Sequence, residues 1–277
     1  MTKVRWVIDP VLVSHSVHSR KLPAAILDAG HELVEATYVE DSKSWNFPEI
    51  KQYDLPTLFY GSKKFVRQHS QLYAPGSFGD TPRSSVSFYM THLPREWFLN
   101  RYALMTTWGD FCVRREYWLN FAGGRAFLRP DTGSKLFTGL VVDRDNVDHE
   151  INSIQQLSHM AAEDFVWTAR AKEIHGEFRF VIADGQVIAG SEYRWDGRLD
   201  IRSDYPEECR ELAQRVASHP WQLDRVYTCD VCLSEDGVRL VELNGFSSAG
   251  LYACDLDAVV AGVSAAAVAE HRDLFGK

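Results

Sequence analysis

Asp230, Glu242 and Asn244 all carry hard oxygen donors and fall within one stretch, Tyr227-Thr-Cys-Asp-Val-Cys-Leu-Ser-Glu-Asp-Gly-Val-Arg-Leu-Val-Glu-Leu-Asn-Gly-Phe246. The stretch reads as two apolar strands around an Asp-Gly turn, with Asp230 on the first strand and Glu242 and Asn244 on the second. Strand residues two apart share a face, so Glu242 and Asn244 project together. Two carboxylates and an amide oxygen suit Mg2+, an ion that commonly bridges protein oxygens to phosphates. Parity adds a condition. A two-residue turn at Asp236-Gly237 sets Asp230 opposite Leu243, off the Glu242 face. A shared metal site therefore requires a longer turn or a bulge.

Positive charge comes from an earlier segment, Phe127-Leu-Arg-Pro-Asp-Thr-Gly-Ser-Lys-Leu-Phe-Thr-Gly139. Arg129 ends an apolar strand, and small residues then lead to Lys135. Small residues let backbone N–H groups approach phosphate oxygens, and the lysine adds a mobile charge. The Gly-x-x-x-x-Gly-Lys-Ser/Thr spacing of a P-loop is absent, so the alternative is an exposed hairpin turn. A third segment, Gly176 to Trp195, carries a strong two-residue turn at Asp184-Gly185. Regular pairing from that turn sets Arg179 opposite Gly190 and Glu177 opposite Glu192. Glu177, Arg179, Glu192 and Arg194 then form one charged face, with Phe178, Phe180, Ile182, Val187, Ala189 and Tyr193 on the other. The plain alternative is a solvated salt-bridge ladder.

Several elements must position these residues. Val4–Asp9, His31–Ala36 and Leu55–Tyr60 read as strands; Leu22–Ala29 reads as a helix with Pro23 in its first turn and Gly30 as its stop. A second helix spans Ser62–Gln71, which makes the N-terminal segment a small α/β unit with parallel strands. Tyr73–Leu93 is rich in Pro, Gly, Ser and aromatics and carries no clear period; the tryptophans and tyrosines of Tyr73–Trp118 are candidates for an acceptor pocket, against core packing as the commoner reason for aromatics. Helical periodicity returns at Pro94–Met105 and Cys112–Ala122. Gly123-Gly124 then opens a new strand, which places a boundary near residue 120.

The 277 residues can bury a full core in two or three subdomains, with 45% hydrophobic and 25% charged residues. A net charge of -8 argues against an extensive nucleic-acid surface. No secretory segment and no run long enough for a bilayer stand out, so a cytoplasmic protein without membrane attachment is expected. The five cysteines, Cys112, Cys209, Cys229, Cys232 and Cys254, are an odd set without disulfide logic. Cys229 and Cys232 face opposite ways on a strand and read as buried thiols rather than metal ligands. His15, His18, His149, His159 and His175 lack metal-ligand spacing and read as surface or structural residues.

Taken in order, Arg-Pro-x-x-x-Ser-Lys-x-Phe-x-Gly from Arg129, Glu-x-Arg-Phe from Glu177 and Glu-Leu-Asn-Gly-Phe from Glu242 resemble the ATP-grasp superfamily. More narrowly, they resemble its bacterial and phage clade named for two arginines and a lysine. The likeness covers roughly residues 120 to 262. It implies an α/β (α+β) ATP-grasp fold, with nucleotide held between two antiparallel-sheet subdomains and a small pre-grasp α/β domain before them. The implied divisions are residues 1–120, a lid at 121–174 and a metal-binding subdomain at 175–277.

The resemblance also implies roles. Arg129 and Lys135 would contact ATP phosphates, and the backbone of Lys172, Glu173 and Ile174 would meet adenine, with Glu177 also on the nucleotide side. Asp230, Glu242 and Asn244 would hold Mg2+. Arg179 and Arg194, with Lys135, would steady the transferred phosphoryl group or a substrate carboxylate. The implied reaction joins a carboxylate to an amine through an acyl phosphate, on a small molecule or peptide. The alternatives are a kinase-like phosphoryl transferase or a non-catalytic nucleotide-binding module. Ligases of this kind are often homodimers, and nothing in the sequence fixes an interface. One departure stands out: many ATP-grasp enzymes have lysine at the Arg129 position and a loop richer in glycine.

Overall fold

In the computed structural model, which describes residues 2–15, 18–46, 54–70, 76–133 and 136–276, the N-terminal segment is built on parallel strands. These are β1 (Arg5–Ile8), β2 (Glu32–Glu35) and β5 (Thr57–Tyr60), in the order β2-β1-β5. Between β2 and β5 a small hairpin, β3 (Thr37–Val39) and β4 (Ser44–Asn46), was not anticipated. The first full helix runs Leu22–Asp28, with proline in its opening turn. Gly30 ends it at φ +78°, where His31 N donates to Ile26 O. A second helix spans Lys63–Ser70. Lys135, the side chain of His15, and the ends of two predicted segments, Gln71 and Tyr73, lie outside the described residues.

The stretch expected to be helical from Pro94 to Met105 is not. It makes one 3-10 turn, Arg95–Trp97, and then enters strand β6 (Leu104–Thr107). That strand pairs Met105 with Trp167 and Thr106 with Val166, so a partner far along the chain overrides the local period. With β7 (Arg125–Pro130), β8 (Leu140–Asp143) and β9 (Phe165–Arg170) it forms an antiparallel sheet in the order β6-β9-β7-β8. Helices Trp108–Val113, Arg115–Phe121 and Val147–Leu157 cover one face, burying Phe111, Leu119, Ala126 and Val166. Phe127, Arg129 and Trp167 lie on the opposite face.

The C-terminal sheet has five strands in the order β12-β11-β10-β13-β14. They are β10 (Ile174–Ala183), β11 (Gln186–Trp195), β12 (Arg198–Arg202), β13 (Val226–Ser234) and β14 (Gly237–Gly245). Phe178, Phe180, Cys229 and Leu240 pack on one face against the Glu207–Ala217 helix and against Tyr89 and Phe98. Full burial of each such aromatic contributes about 1.5–3 kcal/mol. The other face packs on the Leu256–Phe275 helix, which also meets β1 and β5; Trp6 Nε1 donates to Ser264 Oγ at 3.0 Å. All five cysteines are free thiols, and no described helix is long and apolar enough to cross a membrane.

Both hairpins depart from regular pairing, in ways that decide the site. In the first, the Asp184-Gly185 turn is as read, with Ala183 opposite Gln186. Extra residues at Ile188 and Tyr193 then shift the register, so Arg179 faces Ser191 and Glu177 faces Arg194. Glu192 lands opposite Phe178, and the single charged face of four residues does not form. The cause is legible afterwards: Val187, Ile188 and Ala189 are successive apolar residues serving both cores, which a strict alternation cannot do. In the second hairpin the turn residues are Glu235 and Asp236, and Val241 bulges. The bulge lets Leu240 and Leu243, three apart, enter the same core, and it sets Asp230 opposite Glu242. The condition imposed by parity is met.

Candidate active site

The corrected registers produce a row of side chains across four strands, Ser191–Arg179–Asp230–Glu242. Directly opposed residues share a face, so all four project toward one side. Asn244, two residues past Glu242, joins them; its Nδ2 donates to Glu242 Oε1 at 2.9 Å. Arg179 grips Asp230 bidentately, Nε to Oδ1 at 2.8 Å and Nη2 to Oδ2 at 2.7 Å, with side-chain exposures of 7% and 1%. Its Nη1 donates to Gly250 O, and its guanidinium carbon lies 5.6 and 5.1 Å from the ring centroids of the stacked pair Tyr193 and Tyr252. Burial works against the charge on Arg179, yet the Asp230 carboxylate outweighs it and holds its pKa well above the ordinary value.

Arg129 arrives from the other sheet. Its Nη2 meets Glu242 Oε2 at 3.1 Å, an ion pair that spans the gap between the two sheets. Beside it, Tyr89 Oη is buried without a hydrogen-bond partner of good geometry, and burial pushes its pKa up to about 12. A narrow cavity between the sheets is lined by Tyr89, Phe98, Phe127, Arg129, Trp167 and Val241. A second, of about 240 Å³, continues along Asn100, Ala169, Lys172 and Asp236. The first cavity is small, about 20 Å³, an apolar slot with a cation and an orphaned hydroxyl at one end. A larger recess, about 730 Å³, lies between Lys21, Arg202 and Asp257 and is lined by none of Arg129, Arg179, Asp230, Glu242 or Asn244.

The other sequence candidates scatter. Lys172 pairs with Asp236 and lines the second cavity. Glu173 turns out toward Arg125 at 3.3 Å, while its carbonyl accepts from Glu235 N. Ile174 opens β10. Glu177 accepts from Tyr193 Oη at 2.8 Å and meets the half-exposed Arg194 at 3.4 Å; burial raises its pKa. Among the described residues, no group of three or more His, Cys, Asp or Glu is arranged to hold a metal ion. The hard-oxygen donors on this face are Glu242, Asn244 and Asp230, and both carboxylates are paired with arginines, Arg129 and Arg179.

Sequence reasoning missed Asp131. Its carboxylate takes bonds from Ser87 N at 2.7 Å, Ser87 Oγ at 2.6 Å and Trp167 Nε1 at 2.7 Å, fixing the start of the loop after Arg129. It also missed Lys63 and Asp80, although the carboxyl end of a parallel strand such as β5 is where an α/β unit presents its ligand-facing residues.

The family model of an ATP-grasp domain, the third family of the clade named for two arginines and a lysine, matches residues 8–263. The chain belongs to this ATP-grasp family. The match starts well ahead of the segment that carried the resemblance, at Ile8, the last residue of β1. Solved ATP-grasp structures share the fold. The ligase PsnB complexed with a minimal precursor is 14% identical with a TM-score of 0.57, covering 98% of this chain and 99% of that one. D-cycloserine synthetase DcsG is 12% identical at a TM-score of 0.61, covering 95% and 99%. D-alanyl-alanine synthetase A from Vibrio cholerae is 11% identical at 0.61, covering 96% and 99%. No curated protein sequence matches the chain.

Proposed function

We propose that this ATP-grasp protein is an ATP- and Mg2+-dependent carboxylate–amine ligase acting on a small molecule or peptide. The observation that carries the reading is the Arg129–Glu242 ion pair, which joins an arginine of one sheet to a carboxylate of the other; we assign the first to phosphate and the second to metal. Bound Mg2+ would supply charge neutralisation at the nucleotide phosphates, and Glu242, Asn244 and Asp230 would hold it. Arg129 would bind phosphate oxygens and Arg179 would steady the transferred group, both in a buried setting where such charges count for more than in water. PsnB has been solved with Mg and ADP, in keeping with the cofactors proposed here. The cavity of about 240 Å³ lined by Asn100, Ala169 and Lys172 would take adenine. Residues 121–174, with β6 added at the edge of their sheet, would act as the lid, and the rest of residues 1–120 would shape the acceptor side.

Product analysis tests the ligase. ADP and phosphate should appear in equal amounts when a carboxylate and an amine are both supplied, together with an amide. A phosphorylated product that forms without amine would overturn the proposal in favour of a kinase-like transferase. Lys135→Ala should weaken ATP binding roughly tenfold, the effect of one charge-assisted phosphate contact, by calorimetry with a non-hydrolysable analogue. Unaltered affinity would mean that the Asp131–Phe137 loop does not hold phosphate.

A further inference from the structure

Three segments distant in sequence meet at Asp80. Its Oδ2 accepts from Lys63 Nζ at 2.7 Å, and its Oδ1 accepts from Gly245 N at 3.1 Å, one residue past Asn244. Lys63, the first residue of the helix after β5, donates also to Gly133 O, in the loop that follows Arg129. The fit is close on both sides. A Cβ at Gly245 would fall 2.4 Å from the Gly79 carbonyl carbon and 2.7 Å from Asp80 N. One at Gly133 would fall 2.9 Å from Ser84 Cβ and 3.2 Å from Asp80 Cγ. The segment from Phe78 to Asp80 is thus wedged between the metal strand and the phosphate loop. Phe78 O also accepts from Ser247 N at 2.9 Å.

We propose that Lys63 and Asp80 are positioning residues that fasten the phosphate loop to the metal strand through the N-terminal unit. The proposal rests on reading residues 131–137 as the nucleotide loop, not on which bond the enzyme forms. Asp131 already fixes the loop's first residue to Ser87 and Trp167. The Lys63 bond fixes the carbonyl two residues further on. Together they hold residues 131–133 beside Asp80, itself bonded to Gly245 N of β14, before any nucleotide arrives, which lowers the ordering cost of binding. The ion pair is half-buried, at 29% and 14% exposure, and each partner makes a further bond to backbone, so it is better placed to act than an isolated surface pair. The latch also makes loop position depend on the unit proposed to shape the acceptor side.

Hydrogen–deuterium exchange of the full-length, nucleotide-free protein tests this without turnover. In Lys63→Met, amides of residues 130–139 should exchange roughly tenfold faster than in the wild type, while those of the Glu207–Ala217 helix stay unchanged. Affinity for an ATP analogue with Mg2+ should fall by a similar factor, and Lys63→Arg should restore both to within about threefold. Asp80→Asn, which keeps the shape and an acceptor for Gly245 N, should loosen the loop to a lesser degree. Unchanged loop exchange in Lys63→Met overturns the proposal. So does faster exchange spread equally over loop and helix, which would mark general destabilisation. A wild type that releases no ADP with any amine, yet shows the loop response, would sink the ligase reading and leave the latch standing.

Discussion

Arg179→Met is expected to lower the unfolding free energy by about 3–5 kcal/mol, the range for removing one partner of a buried ion pair. The reason is what it leaves behind. Asp230 is 1% exposed and directs both carboxylate oxygens at Arg179, so the variant removes the cation that both oxygens meet, where water cannot easily replace it. Methionine fills much of the arginine's volume, so the loss is electrostatic rather than a cavity. Urea unfolding followed by tryptophan fluorescence gives the shift. The double variant Arg179→Met/Asp230→Leu should recover most of the deficit, because replacing both partners by apolar groups is often neutral. It should nonetheless remain without ADP release. A single variant that loses less than about 1 kcal/mol, or a double variant no more stable than the single, would show that the pair does not hold the strands together.

That contrast separates two uses of one residue. The Arg179–Asp230 pair joins adjacent strands β10 and β13, and Arg179 also ties down Gly250 and the Tyr252 ring. The cation proposed to steady the transferred group is thus one that also organises the fold. Stability and activity will therefore fall together in single variants and part only in the double one.

What could be read in the sequence follows the range of each interaction. The Asp184-Gly185 turn and the Gly30 helix stop are set by residues within a few positions, and both appear where expected. The metal-ligand candidates were legible because strand parity is local; parity even demanded an irregularity before Asp230 could meet Glu242. Its kind and place, a bulge at Val241, were not specified, because they follow from which core Leu240 and Leu243 enter. The same kind of bulge at Ile188 broke the charged face expected from regular pairing. The helical period read over Pro94–Met105 ran into the start of β6, whose strand identity comes from pairing with β9. Lys63 and Asp80 had no local signature at all, since their partners Gly133 and Gly245 lie 70 and 165 positions away in the chain.

Glu242→Gln is expected to cut Mg2+-dependent ADP release roughly 100- to 1000-fold while leaving the fold intact, the scale of losing one preorganised charge-stabilising group. Two roles for Glu242 predict different signatures. If it only parks Arg129, to which it is paired at 3.1 Å, its neutralisation frees that arginine. ATP affinity then changes and the Mg2+ requirement does not. If it is a metal ligand, glutamine removes a formal charge from the hard-oxygen set, and the Mg2+ concentration for half-maximal rate rises steeply. Electron paramagnetic resonance with Mn2+ reads the same distinction without turnover, as loss of nucleotide-dependent Mn2+ binding. Because Asn244 Nδ2 donates to Glu242 Oε1 at 2.9 Å, the glutamine still offers an acceptor there, so the local geometry survives. An unchanged Mg2+ dependence in a folded Glu242→Gln protein would remove Glu242 from the metal site and leave it as the resting partner of Arg129.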